Sequence, residues 1–308
     1  MKNAKFLNIK GAVLDNESLK KFIEKTATNY DIKKRSNANT YPIQRLNENY
    51  MFIEKTYNLL NEHIKNNIDI YPAGEWLLDN FYVVEEAVKK IKKEMPLKKY
   101  VEFPGIANGI YEGYARIYVL ASEIVAYRDN KIDDETLQIS LKWYQKQKQL
   151  NMEEIWNLWI FLEIAIIENI RGVCEKIYIS QNQKSKVEDI IERVIEHKKN
   201  SDNKISQYKS KSKRNIALKR ETIEILKDKM KYPFIEHMSY KLKRYGKKGI
   251  PYLNILEDQV NKLGLTVEEA INKEHFDIAN QKILIGNSIT RIRPELPVLF
   301  LRDMVYEF

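Results

Sequence analysis

Apolar residues recur along much of the chain at helical spacing. Leu77, Phe81, Val84, Val88, Ile91 and Met95 advance in steps of three and four, as do Leu137, Leu141 and Tyr144. Val187, Ile190, Ile191, Val194 and Ile195 make another such stripe. A 3.6-residue period puts each set on one helix face. Asn151, Ser185 and Thr266 each precede a glutamate by three residues (Glu154, Glu188 and Glu269), the pattern of a capping box that opens a helix. No proline occurs between Gly105 and Tyr232, too little turn punctuation for a β-rich domain. The pattern predicts helices near 16–27, 47–66, 73–95, 106–128, 134–149, 152–180, 185–199, 215–230, 232–245, 251–263, 267–282 and 287–293. The expected fold class is all-α, a multi-helix bundle with mostly antiparallel packing.

Two polar stretches interrupt the periodicity, at 31–42 and 199–214. They divide the chain into an N-terminal helix and linker (1–42), a main bundle (43–199), a basic linker (200–214) and a smaller helical segment (215–308). The most apolar run, Ile155 to Ile170, contains Asn157, Glu163, Glu168 and Asn169. As a helix it would be about 24 Å long, short of a hydrocarbon core of about 30 Å. It reads as a core helix, and any membrane association as peripheral.

Charge changes the picture in one place. The 308 residues carry a net +9, yet residues 201–250 hold 15 Lys and Arg against 5 Asp and Glu, while the other 258 sum to −1. This basic segment includes Lys209, Lys211, Lys213, Arg214, Lys219, Arg220, Lys241, Lys243, Arg244, Lys247 and Lys248, interleaved with Tyr208, Tyr232, Tyr240 and Tyr245. One reading is an interaction module that binds nucleic acid or an anionic membrane through 204–248. Lysine outnumbers arginine 40 to 12, which argues against nucleic acid, because arginine supplies the bidentate fork.

The chemistry-bearing patterns are sparse. Cys174 is the single cysteine, which excludes an internal disulfide framework and fits a reducing compartment. It lies in a helical pattern and reads as a core residue. No histidine follows a glutamate by three residues, and no H-E-x-x-H or phosphate loop occurs, so neither metal nor cofactor is expected. Gly105, Gly109 and Gly113 fit either one smooth helix face or a loop before Tyr114. The clearest candidates are polar residues in apolar helices: Asp79, Asn80, Glu85, Arg116, Glu123, Glu168 and Arg171. Buried carboxylates need partners, and Arg116 and Arg171 are the expected ones. Together these residues form a candidate polar centre or ligand contact. A carboxylate pair among Glu123, Glu163, Glu168 and Glu175 would suit glycoside chemistry, and intrahelical ion pairing accounts for the same residues.

Several segments, in order, resemble one family. Pro72 to Glu86 reads P-A-G-E-W-L-L-D-N-F-Y-V-V-E-E, and Gly113 to Tyr118 reads G-Y-A-R-I-Y. Ala121, Glu123 and Val125 follow, then Glu154 to Trp156, then Glu168, Asn169 and Arg171. Glu274, His275, Asn287, Ile289, Thr290 and Arg293 form an E-H…N-x-I-T segment. Over about residues 14–293 the chain resembles the cyclic β-1,2-glucan synthases. The resemblance implies the N-terminal helical region of such a glycosyltransferase, not its transferase, chain-processing or phosphorylase-like domains. No catalytic residue of the family carries over, and a non-catalytic role in scaffolding or glucan guiding is expected. The implied partners are a β-1,2-glucan chain or the remaining synthase domains. Aromatics such as Trp76, Tyr82 and Tyr114 suit sugar stacking as well as core packing. After Arg293 the sequence P-E-L-P-V-L-F-L-R-D-M-V-Y-E-F leaves the family pattern, the expectation for a truncated fragment or split product.

Overall fold

The computed structural model describes residues 13–128, 132–196, 211–226 and 231–291. Among them are eleven helices: α1 Asn16–Asn29, α2 Ile43–Lys65, α3 Pro72–Glu94, α4 Leu97–Tyr100, α5 Arg116–Tyr127, α6 Asp134–Gln147, α7 Met152–Ile191, α8 Lys211–Leu226, α9 Tyr232–Arg244, α10 Ile250–Asn261 and α11 Val267–Arg291. The all-α expectation holds. The described strands are β1 Ile32–Lys33 and β2 Gly105–Ile106, paired antiparallel with Ile32 opposite Ile106.

Two compact units emerge. The first comprises residues 1–57, 76–174 and 283–308, the second 58–75 and 175–282. Residues 200–210 of the basic linker lie outside the described residues, and 211–214 open α8.

Three helix boundaries differ from the periodicity. Residues 106–128 are not one helix; α5 begins at Arg116 and the three glycines sit in the preceding strand and loop. The stripes at 152–180 and 185–199 join in the 40-residue α7, and those at 267–282 and 287–293 join in α11. The boxes at Asn151 and Thr266 do form. Asn151 N donates to Glu154 at 2.9 Å and Glu154 N to Asn151 Oδ1 at 2.9 Å. Thr266 N donates to Glu269 at 2.8 Å, and Glu269 N to Thr266 Oγ1 at 3.1 Å. Ser185 caps nothing, since α7 runs through it.

In the first unit α5 is enclosed: Arg116 to Ala121 and Glu123 to Val125 are buried. Phe161 on α7 is fully buried, with Phe103 edge-on at 5.3 Å and Tyr118 at 5.7 Å between ring centroids. α2 meets α3 through Tyr57 and Phe81, stacked at 4.3 Å. Residues 31–42 are held against 100–115. Tyr100 OH donates to Thr40 O at 3.0 Å, Ser36 Oγ donates to Tyr100 O at 2.7 Å, and Asn37 N donates to Gly113 O at 2.7 Å.

Gly105 permits this approach, because a Cβ there would lie 2.7 Å from Arg35 O and 2.8 Å from Ser36 Cα, both backbone atoms. Gly105→Ala is expected to lower the unfolding free energy by about 1–3 kcal/mol, as overpacking does. An unchanged urea midpoint would contradict this.

The second unit is centred on Val187, Ile190 and Ile191 of α7, with Leu218, Phe234, Ile235, Met238, Leu242, Leu256 and Val260. Cys174, in the first unit, is fully buried, and burial pushes its thiol pKa up. The core reading of that residue holds.

Candidate functional site

In the first unit the polar residues of the apolar helices form several separate pairs. Arg116, at the start of α5, is 8% exposed and binds Glu154 bidentately, Nε to Oε1 at 2.7 Å and Nη2 to Oε2 at 2.6 Å. Its Nη2 also donates to Gln149 O at 2.7 Å. The same Glu154 closes the α7 capping box, so one fully buried carboxylate joins α5 to the start of α7. Glu168 is held by Arg45, Nε to Oε2 at 2.9 Å and Nη2 to Oε1 at 2.6 Å, and by Asn49 Nδ2 at 2.5 Å. Arg171 lays its guanidinium 5.0 Å from the Phe52 ring centroid.

Glu123 and Glu163 are buried acids of a different kind. Glu123 is 2% exposed, and its Oε2 has no hydrogen-bond partner. Burial pushes its pKa up to about 8, with a Thr26 hydrogen bond opposing. Its charge in turn raises the hydroxyl pKa of Tyr30, Tyr111 and Tyr127, each shifted chiefly by burial. Glu163 takes Trp159 Nε1 at 2.9 Å and Lys90 Nζ at 3.5 Å. Burial outweighs that nearby cation and pushes Glu163 up to about 7.

The remaining candidates lie on α3. Asp79 is exposed, Asn80 Nδ2 donates to Trp76 O at 2.9 Å, and Glu85 lies 3.2 Å from Lys89 and accepts from Tyr50 OH at 3.5 Å. Arg116 and Glu168 each join a partner that periodicity does not single out for them, Glu154 and Arg45. One further feature belongs to this helix. Its buried face carries Leu77, Val84, Val88 and Ile91, and its outer face carries Trp76 (36% exposed), Asp79, Tyr82 (51% exposed) and Glu86. At about 100° per residue these four make a broad aromatic–acidic stripe of about 120° on that side, with Asp79, Tyr82 and Glu86 along its middle and Trp76 at its flank.

The protein-family models contain no match to this chain. Among curated proteins, the cyclic beta-(1,2)-glucan synthase NdvB of Rhizobium meliloti (strain 1021) is 23% identical over 250 residues. The chain is a distant homologue of this synthase. The match covers 81% of this chain and 8% of the synthase.

The second unit holds a polar network that sequence spacing did not reveal. His63 Nδ1 lies 3.1 Å from Gln181 Oε1 and its Nε2 lies 2.9 Å from Ser185 Oγ. Burial lowers the His63 pKa, which favours the neutral ring. Hydroxyl, imidazole and amide stand in the order of an activated nucleophile. However, the backbone N–H groups around Ser185 lie inside α7 and bond within it, so the helix supplies no oxyanion donors there. Lys184, 4% exposed, donates to Asp69 O at 3.1 Å and sits 3.4 Å from the Tyr71 ring centroid. Burial lowers it to about 8, against the charges of Glu236, Asp69, Glu274 and Glu188. Glu274 is pushed up to about 8, also by burial. Glu188 takes His237 Nε2 and Lys241 Nζ, both at 2.8 Å, and these partners hold its carboxyl below the usual range despite burial. A cleft of about 370 Å³ along α7 and α8 is lined by Gln183, Asp189, Arg193 and Glu221, of which Arg193 and Glu221 form a bidentate pair at 2.9 and 2.8 Å.

Among the described residues no three His, Cys, Asp or Glu side chains are grouped to hold a metal ion, and no helix is long and apolar enough to cross a membrane.

Proposed function

We propose that this chain is a non-catalytic helical region that works with a cyclic β-1,2-glucan synthase-type transferase, and that the outer face of α3 guides the glucan chain. This reading puts the chain in the cytoplasm, where it also serves as a scaffold for transferase domains. The observation that carries it is the stripe of Trp76, Asp79, Tyr82 and Glu86, which lies within the first of the segments that resemble the synthases. Indole and phenol rings offer flat apolar faces for the C–H face of a sugar, and carboxylates accept hydrogen bonds from its hydroxyls. The stripe lies along the helix, and the axial distance from Trp76 to Tyr82 is about 9 Å at the helical rise. That length matches a chain laid along the surface better than a single sugar in a pocket. The buried Arg116–Glu154 pair and the half-buried Arg45–Glu168 pair each join one helix to another, which supports a scaffold part.

Titration with linear β-1,2-glucan oligosaccharides, followed by calorimetry and tryptophan fluorescence, tests the reading. Binding is expected to be insensitive to salt, since the ligand is neutral. Trp76→Ala is expected to weaken it about tenfold, the loss of one stacked ring. Absence of heat at millimolar oligosaccharide would remove the glucan contact and leave the scaffold role alone.

A further inference from the structure

The described part of the basic segment ends in an exposed corner of the second unit. Helix α9 buries Phe234, Ile235, Met238 and Leu242. Helical spacing puts Tyr240, Lys243 and Arg244 on the opposite face, and all three are exposed. Arg244 leans on Tyr240, with its guanidinium 5.7 Å from the ring centroid and Nη1 3.4 Å from the hydroxyl. The chain then folds back through a 3₁₀ turn, Gly246–Lys248, into α10.

Gly249 makes the return possible. A Cβ there would stand 2.0 Å from Leu242 O. This approach of backbone to backbone keeps Lys247, Lys248 and Ile250 at the end of α9 that carries Lys243 and Arg244. Lys247 and Lys248 are exposed, and Ile250 is 54% exposed. From His237 to Leu256 the sequence has no Asp or Glu. Lys241 alone in this stretch turns inward, to Glu188. Among the described residues, Lys243, Arg244, Lys247 and Lys248 have no carboxylate partner.

A helix C-terminus attracts cations, but that attraction does not call for an exposed isoleucine and tyrosine beside four of them. Three lysines to one arginine suit point-charge attraction to a surface better than the forked recognition of nucleic acid. An exposed aliphatic tip has no use on a phosphate backbone, whereas it sinks into the boundary between headgroups and acyl chains. Tyrosine favours the same boundary. We propose that this corner docks on an anionic lipid bilayer, with the four cations at the headgroups and Ile250 and Tyr240 at the acyl boundary. The proposal does not depend on the glucan reading.

Co-sedimentation of the full chain with phosphatidylcholine vesicles, with and without phosphatidylserine, tests it. Binding is expected only with phosphatidylserine and is expected to fall steeply as salt rises. Each cation near such a surface contributes about fivefold. The combined substitution Lys243→Ala, Arg244→Ala, Lys247→Ala and Lys248→Ala is therefore expected to cost about a hundredfold or more, with unchanged circular dichroism. Ile250→Ser is expected to weaken binding severalfold and leave its salt dependence alone. Three results would each overturn the proposal: equal binding to neutral vesicles, full retention by the fourfold variant, or displacement from the vesicles by single-stranded DNA at lower concentration than by free phosphatidylserine vesicles.

Discussion

Arg116→Ala is expected to lower the unfolding free energy by about 3–5 kcal/mol, the cost of removing one partner from a buried ion pair. The loss falls on Glu154, which is fully buried and takes two of its hydrogen bonds from the guanidinium. Without Arg116 the carboxylate keeps only the Asn151 N–H of the capping box. Gln149 O loses a donor as well. Replacing both partners with apolar residues of similar size removes the stranded charge. Arg116→Met with Glu154→Leu is expected to recover part of the loss, less the capping contribution of about 1 kcal/mol. Urea denaturation of the single and double variants distinguishes the outcomes. If Arg116→Ala unfolds at the same midpoint as the wild type, the pair contributes nothing and the helices are joined by apolar packing alone.

Glu123 is expected to make the protein less stable as pH rises. Its folded pKa of about 8 stands above the value of 4.5 for an unperturbed glutamate. Above pH 4.5 the unfolded chain releases the proton while the folded chain keeps it, so unfolding gains free energy. The loss grows up to pH 8 and is constant beyond it. Its full size is on the order of 5 kcal/mol at the usual conversion of pKa to free energy. Glu163 and Glu274, with values near 7 and 8, act in the same direction. Lys184 acts oppositely: its folded pKa of about 8 lies below the ordinary 10.5, so it adds stability as pH rises from 8 to 10.5. Glu123→Gln keeps the shape and cannot ionise. It is expected to leave stability at pH 5 nearly unchanged and raise it at pH 8. Parallel stability–pH curves for variant and wild type would show that Glu123 ionises freely in the folded protein.

The helices were legible because their apolar faces repeat within a turn or two. The stripe from Leu77 to Ile91 predicts α3 and its buried side, and both capping boxes that form are local signals three residues long. The third box, Ser185 and Glu188, has the same local pattern but a different outcome. There the hydroxyl goes to His63, the carboxylate goes to His237 and Lys241, and the helix simply continues. A short polar motif is satisfied by whichever partner is nearest in space, and sequence spacing does not contain that partner. The pairs follow the same rule. Arg116 reaches across 38 residues to Glu154, and Arg45 across 123 to Glu168. Residues 106–115 misled for another reason: composition there is compatible with a helix, but the backbone is spent on Gly113 and Tyr114 contacts with 106 and on the pairing of β1 with β2.

The two units are interleaved along the chain, and their boundaries at 57/58, 75/76, 174/175 and 282/283 fall inside α2, α3, α7 and α11. No single cut releases either unit whole. Residues 1–57 and 283–308 both belong to the first unit, so deleting either segment damages that unit, and point substitutions are the sound way to assign a role to one unit or the other. On the ribosome, the first unit cannot complete itself until its last segment, from Ile283 onward, has emerged. Most of the polypeptide is made before that closure. The nascent first unit thus stays incomplete while residues 175–282 are made, a period in which chaperones and self-association compete for it.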